Sequence, residues 1–315
     1  MKKPKLVVIG SLNMDIVVET DRYPRVGETI MGSRIRFIPG GKGANQAVAG
    51  ARLGAETAMI GAVGEDSFGD ELLRSLQGDG VDVSGVKRIA GASTGIASIY
   101  VAQGDNSIII VPGANQRLEP ADIDRNEDKL READIVLLQL EIPVETVLYA
   151  ARKANMLGKK VVLNPAPAQQ LPGELFEYAD FITPNRTELS QYTGMLAEGE
   201  ALEPAMRRMK EMGASHVITT LGSEGSAYLS DDGAMRTIPA HKVPVVDTTG
   251  AGDCYNAGLA YSIAAGHNIE EAMTYAALVS ALAVTKFGAQ AGMPTEKEAQ
   301  QFAAKIRSGN GSVTE

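Results

Sequence analysis

Hydrophobic positions along this chain follow two rhythms. Short, continuous apolar runs alternate with longer stretches in which apolar residues recur every three or four positions. Lys5-Leu-Val-Val-Ile-Gly10 is one such run, and 57–60, 135–140, 160–163, 181–183 and 216–220 are others. Strands buried on both faces of a parallel sheet read this way. Helical spacing falls near 43–54, 68–79, 143–157, 186–194 and 200–212, and again over about 253–265. Strand alternating with helix predicts an α/β fold, with a mostly parallel sheet flanked by helices on both faces.

Two stretches break the alternation. Val17-Val18 and Thr29-Ile30-Met31 are strand-like, with turns at Tyr23-Pro24 and Val26-Gly27-Glu28. Residues 96–101 and 107–111 read as a hairpin around Gly104-Asp105-Asn106. Together they predict a small antiparallel sheet projecting from the main body, over about 14–39 and 95–112. The rest of 1–315 reads as one unit. Such a sheet suits a lid that excludes water. Its exposed face and edges suit a dimer contact.

Polar residues suited to chemistry gather just after the strands, where open α/β sheets bind ligands. Asn13 and Asp15 follow the first run two residues apart, so in an extended segment both side chains point the same way. Glu141 and Asn164 end later runs. Asn185 and Glu188 follow Phe-Ile-Thr-Pro184, and Thr220-Leu-Gly222-Ser223-Glu-Gly225 follows Val217-Ile218-Thr219.

Two glycine turns open helices. Gly40-Gly41-Lys42-Gly43-Ala44-Asn45 is not a Walker A loop, since Arg36 and Gly43 stand where that needs Gly and Ser/Thr, and no dinucleotide G-x-G-x-x-G can be read through it. Lys42 and Asn45 beside main-chain N–H groups suit polyol hydroxyls. In Val246-Asp247-Thr248-Thr249-Gly250-Ala251-Gly252-Asp253 an apolar β-branched segment enters a turn at a helix start, where free N–H groups and the dipole favour an anion. Asp253 on that turn is placed to take a proton from a hydroxyl attacking the anion. Alone, it equally fits an acid favoured by the helix dipole.

Composition narrows the classes. Of 315 residues 44% are apolar, which is ordinary for a globular protein, and the net charge of -9 argues against a nucleic-acid partner. No apolar run is long enough for a membrane span, and no signal-peptide core follows Lys2, Lys3 and Lys5. The single cysteine, Cys254, rules out an internal disulfide framework, fits a reducing cytosol and reads as a small buried helix residue. The three histidines (His216, His241, His267) lack zinc-site spacing, and 308–315 reads as disordered.

Gly-Ser-Leu-Asn-Met-Asp15, Gly-Gly-Lys-Gly-Ala-Asn-Gln46, Asn164-Pro-Ala-Pro-Ala, Thr183-Pro-Asn-x-x-Glu188, Thr220-Leu-Gly-x-x-Gly225 and Asp247-Thr-Thr-Gly-Ala-Gly-Asp253 occur in this order across almost the whole chain. In this set the chain resembles the ribokinase-like carbohydrate and nucleoside kinases. The resemblance implies a Rossmann-like domain with a β-sheet lid, a cytoplasmic enzyme, and a homodimer clasped through the lids. It implies ATP-dependent phosphorylation of D-ribose at the 5-hydroxyl. Kinases for 2-deoxyribose, fructose or adenosine, and a sugar-binding regulator without catalysis, are the alternatives. Asn13 favours a sugar that keeps its 2-hydroxyl.

By the same resemblance Asp253 is the base, and Gly250, Ala251 and Gly252 form the anion hole. Asn13, Asp15, Gly41, Lys42, Asn45 and Glu141 contact the sugar. Asn185, Thr220, Gly222, Ser223, Gly225 and Gly252 contact ATP, and Glu188 acts on Mg2+ through water. Potassium, as activator, falls to Asp247, Thr249, Ala283, Lys286, Gly288 and Gly292. Gly292 stands where the family usually has serine, which implies one side-chain ligand fewer or a weaker potassium dependence.

Overall fold

The computed structural model describes residues 3–230 and 232–308, so the tail expected to be disordered lies, from 309 on, outside the described residues. The chain opens with β1 (Lys5–Ile9), β2 (Asn13–Glu19), β3 (Arg34–Gly40), α1 (Lys42–Arg52), β4 (Glu56–Gly64), α2 (Ser67–Gly78) and β5 (Asp82–Ile89). The hairpin β6 (Gly95–Ala102) and β7 (Asp105–Val111) leads to the short helices α3 (Pro120–Arg125) and α4 (Glu127–Glu132). Then come β8 (Ile135–Leu138), α5 (Val144–Met156), β9 (Lys160–Leu163), α6 (Gly173–Tyr178), β10 (Phe181–Ile182), α7 (Arg186–Thr193), α8 (Leu202–Glu211) and β11 (His216–Thr220). A hairpin of β12 (Ser226–Leu229) and β13 (Met235–Ile238) precedes the helices α9 (Ala251–Ala264), α10 (Ile269–Ala283), α11 (Ala289–Gly292) and α12 (Glu296–Arg307).

The main sheet has nine strands in the order β13-β12-β11-β10-β9-β8-β1-β4-β5. Every pairing is parallel except β11 with β12 and β12 with β13. Strand β1 shows why both faces are covered. Leu6 and Val8 enter one apolar cluster with Val48 of α1, Leu259 of α9 and Met273 of α10. Val7 and Ile9 enter the other, with Val147 of α5 and Met206 of α8. At about 25 cal/mol per Å² of apolar surface, burying each such side chain contributes about 1.5–3 kcal/mol.

From β1 the sheet grows one way through β4 and β5, and the other way through β8, β9 and β10. Strand β1 is therefore the point where the winding reverses. The crevice beyond the C-terminal ends of β1 and β8 is where such a sheet leaves room for a ligand.

The second sheet has four strands in the order β3-β2-β6-β7. It departs from expectation in three ways. Its central pair, β2 with β6, is parallel, so the sheet is mixed rather than antiparallel. Thr29-Ile30-Met31 forms no strand. The partner of β2 is Arg34–Gly40 instead, a charged edge strand whose arginines mask its alternation and whose Pro39 an edge tolerates. The β6–β7 turn is Gln103-Gly104, both at positive φ, so Asp105 and Asn106 lie in β7 rather than in the turn. Strands β5, β12 and β13 and helices α3, α4, α6, α10, α11 and α12 lie outside the elements that the apolar pattern predicts. No helix among the described residues is long and apolar enough to cross a membrane.

Candidate active site

The crevice at the reversal collects residues from six segments. Ser11 follows β1, Asn13 and Asp15 lie in β2, and Glu141 follows β8. Lys42, Asn45 and Gln46 start α1, Glu188 starts α7, and Asp253 lies in the first turn of α9. The chain is stitched across it. Glu141 Oε2 accepts from Ser11 Oγ at 2.5 Å and from the Lys42 N–H at 3.0 Å, so one carboxylate ties β8, β1 and the start of α1.

Asp253 is buried, 6% exposed. Its Oδ2 accepts from Asn45 Nδ2 at 2.9 Å and its Oδ1 from Gln46 Nε2 at 3.2 Å. Burial pushes its pKa up, while the Lys42 ammonium and these two amides hold it down and Glu141 adds to the rise. Asp15 is pushed up to about 7 by burial and by the charges of Glu141 and Asp253. Burial disfavours the charge on Lys42, but the carboxylates of Asp253, Glu141 and Glu188 outweigh it and raise its pKa. A single ammonium thus sits among acids, and one of them, Asp253, has both oxygens set by amide donors.

Gly250 N-caps α9 in the left-handed conformation, φ 77°. A Cβ there would also meet the Ala289 Cβ at 3.0 Å, so only glycine fits the turn. The expected anion hole is modified in one respect. The Ala251 N–H donates to the Thr248 carbonyl at 3.2 Å, whereas the N–H groups of Gly250, Gly252 and Asp253 have no acceptor among the described residues. Those three are free to meet an anion at the helix N-terminus.

A cavity of about 500 Å³ opens from this turn. Five residues expected to hold a nucleotide, Thr220, Gly222, Ser223, Gly225 and Gly252, line it. Its other walls, including Val243, Val245, Tyr255, Ala277 and Val284, are largely apolar, as a flat heteroaromatic ring would require. Asn185 is not among the lining residues. It bridges to Thr220, and its side chain caps α7 in a reciprocal pair, Glu188 N–H to Asn185 Oδ1 at 2.8 Å and Asn185 N–H to Glu188 Oε2 at 2.9 Å. Asn185 and Glu188 therefore have a structural duty, which leaves Glu188 Oε1 as the free acceptor. Among the described residues no three His, Cys, Asp or Glu side chains are grouped to hold a metal ion. A magnesium ion here would take most of its oxygens from water and phosphate.

The residues expected to bind potassium surround the loop behind the turn. Asp247 accepts from the Thr249 N–H at 2.9 Å and the Gly288 N–H at 2.9 Å. Burial would raise its pKa, but these bonds and the Thr249 hydroxyl overcome that and keep it low. A Cβ on Gly292 would lie 2.7 Å from the Ala283 carbonyl oxygen and 3.7 Å from that of Lys286. Carbonyl oxygens thus converge on this glycine, a donor set that fits a hard monovalent cation. The same contact explains why serine is absent. The Lys286 ammonium is turned outward to Glu298 at 2.6 Å, leaving its carbonyl for the loop.

Reasoning from sequence missed several residues. Asn115, fully buried, holds Asn13 and Leu12. Asn256 links Thr183 to the α9 turn, accepting from its Oγ1 at 2.5 Å and donating to the Gly252 carbonyl at 2.8 Å. Gln46 and Gln139 reach Asp253 in series. Their signal in sequence is slight, since a buried amide looks like any surface amide. Cys254 is fully buried, as expected of a small helix residue, and burial pushes its thiol pKa up.

The pfkB family carbohydrate kinase model matches residues 3–296. The ribokinase of Bacillus subtilis (strain 168) is 40% identical over 297 residues, 94% of this chain and 98% of that protein. The deoxyribokinase of Salmonella typhi is 36% identical over 300 residues, 94% of this chain and 98% of that protein. The structure of Arabidopsis thaliana ribokinase complexed with ribose and ATP matches with a TM-score of 0.91 at 37% identity, covering 95% of this chain and 98% of that one. The sheet order, the glycine turn and these matches agree, and the chain belongs to the pfkB family of carbohydrate kinases.

Proposed function

We propose that the chain transfers the γ-phosphoryl group of ATP to the 5-hydroxyl of D-ribose, giving D-ribose 5-phosphate and ADP. One observation carries the reading. A buried carboxylate with both oxygens oriented, Asp253, sits on a turn where the N–H groups of Gly250, Gly252 and Asp253 have no acceptor among the described residues and which opens into the apolar cavity.

In this reading Asp15, Asn13, Asn45, Lys42 and Glu141 hold the sugar hydroxyls, and the cavity beyond Gly252 takes the adenine. Asp253 accepts the proton of the 5-hydroxyl as that oxygen attacks the γ-phosphorus in line with the departing ADP. The N–H groups of Gly250, Gly252 and Asp253 stabilise the charge on the transferred group, each worth about 10²–10³ in rate by analogy with an oxyanion hole. Glu188 Oε1 would face the water shell of a magnesium ion, which when bound would neutralise phosphate charge. Potassium would stiffen the loop made by Asp247, Ala283 and Gly288.

The small sheet serves as a lid in this proposal. Strand pairing puts Asn13, Asp15, Ala97 and Ile110 on one face, so the face that carries the sugar ligands also carries apolar residues that close over them. Ile35, Phe37, Ile109 and Val111 lie on the opposite face, 44–59% exposed, and a second copy of the chain docking on this sheet would bury them. The place of action is the cytoplasm.

The second reading is 2-deoxyribose as acceptor, favoured by the deoxyribokinase at 36% identity. The experiment is ADP release with ribose, 2-deoxyribose, fructose and adenosine, with and without potassium, for the native chain and Asp253→Asn. Ribose-dependent turnover that collapses by about 10²–10⁴ in Asp253→Asn supports the proposal. Turnover with another acceptor alone overturns the substrate, and undiminished turnover in Asp253→Asn overturns the base.

A further inference from the structure

Behind Asp253 lies a line of buried amides. Gln46 is 1% exposed and Gln139 is 0% exposed. Gln46 Nε2 donates to Asp253 Oδ1 at 3.2 Å and lies 3.4 Å from Asn164 Oδ1. Its Oε1 accepts from Gln139 Nε2 at 2.6 Å, and Asn164 Nδ2 in turn points at the Thr183 carbonyl at 3.4 Å. Each amide fixes which end of the next one faces inward. Were Gln46 turned over, its oxygen would face the Asp253 carboxylate and the Asn164 oxygen, three acceptors with no proton between them.

Gln139 is held at a cost. Its Oε1 is buried with no hydrogen-bond partner among the described residues. The backbone also makes room for it, because a Cβ on Gly10 would fall 2.0 Å from that oxygen. An apolar side chain of the same length would fill the space without burying an acceptor, so packing alone does not call for the amide.

We propose that Gln139 and Gln46 are positioning residues for the phosphoryl transfer, acting in series. Gln139 sets the amide of Gln46, and Gln46 holds Asp253 Oδ1 so that the carboxylate stays ionised and aimed at the substrate hydroxyl. The inference rests on Asp253 being the base. A fully buried carboxylate tends to take up a proton, and donors to its charged form oppose that. Asn45 serves Oδ2 directly. Lys42 of α1, Glu141 after β8, Asp15 of β2 and Glu188 of α7 face Asp253 from the surrounding elements, and Cys254 adjoins it in α9. Of these only Lys42 is a cation, so the Gln46 donor matters to the balance.

The test is a double-mutant cycle with Gln46→Met and Gln139→Met, which keep length and remove the amide. We expect Gln46→Met to lower kcat about ten- to a hundredfold, with ribose KM within about twofold, in keeping with a lost hydrogen bond to a charged group. Gln139→Met should lower kcat by less, about threefold to tenfold, and the double variant should match Gln46→Met alone. The acid limb of the kcat profile should move to higher pH in all three. A pH titration of the Asp253 carboxyl carbon by NMR should show the same shift without reference to turnover, and thermal melting reports whether the variants fold. Multiplying losses in the double variant, or an acid limb and carboxyl titration that do not move, overturns the inference. If Asp253→Asn keeps its turnover, the base assignment fails first and the inference with it. If Asp253→Asn is dead but the Gln variants are normal, only the inference fails.

Discussion

Asn115 Nδ2 lies 2.8 Å from Asn13 Oδ1, across 102 residues of chain. Asn115 also accepts from the Leu12 N–H at 3.0 Å and donates to the Leu12 carbonyl at 3.1 Å, so it grips two successive residues at the head of β2. With its oxygen bonded to Asn115, the Asn13 amide is held in one orientation, which leaves its Nδ2 as the donor for a ligand. If that donor meets the 2-hydroxyl, Asn115→Leu should raise ribose KM about tenfold and leave kcat within about threefold, since one oriented hydrogen bond is worth about 1–2 kcal/mol. The KM for 2-deoxyribose should hardly move. Steady-state kinetics with both sugars decides it, and equal losses for both would end this account of Asn13.

Asp15 gives a pH signature in stability. Its pKa rises from an ordinary value near 3.8 to about 7 in the folded chain. Between those values the folded state binds a proton that the unfolded state has released. Stability therefore falls as pH rises across that window and is level above about 7. Asp15→Asn imitates the protonated acid and should remove the fall. Urea midpoints for variant and native chain should agree near pH 4 and diverge by pH 8, the variant being the more stable but the poorer in binding ribose. A constant offset at both pH values would contradict the assignment.

Gly250→Ala asks an alanine to hold φ 77° and to crowd Ala289. The left-handed conformation alone costs about 1–2 kcal/mol. The helix start can escape this cost by shifting, which moves the free N–H groups off the transferred phosphoryl. We expect kcat to fall at least about tenfold while ribose KM changes little, because the sugar ligands lie on other segments. Equal loss in binding and turnover would mean that the turn is a structural joint only.

Gly292→Ser restores the residue more usual in the family at a site with no room for it. Its Cβ would lie 2.7 Å from the Ala283 carbonyl oxygen, so the loop must move. The expected cost is about 1–3 kcal/mol, seen as a lower Tm. Potassium activation should weaken rather than strengthen, because the displaced carbonyl is one of the proposed ligands. A potassium titration of activity in both forms measures this, and a stronger response in the serine form would refute the carbonyl set.

How much was legible beforehand depends on the range of the interaction. Strands β1, β4, β8, β9, β10 and β11 announce themselves because burial on both faces demands unbroken apolar runs such as Leu6-Val7-Val8-Ile9. The glycine turn at 250–252 and the acid at 253 are local too, since a helix start and its first turn are written within a few residues. Strand β3 was obscured because Arg34 and Arg36 belong to an edge, where pairing needs little apolar content. Folding alone brought Glu141 to the N–H of Lys42, 99 residues away, and Gln46 to Asp253, 207 residues away. An amide carries no periodicity, so its partner cannot be read from its neighbours in the chain. The layered α/β architecture, the glycine turns and the polar residues at the strand ends are written locally in the chain, because apolar burial and helix starts act over a few residues. Which oxygen of Asp253 each amide holds, which N–H groups stay free and how close the Ala283 carbonyl comes to residue 292 follow from the folded arrangement, because they depend on distances between segments that meet once the sheet has closed.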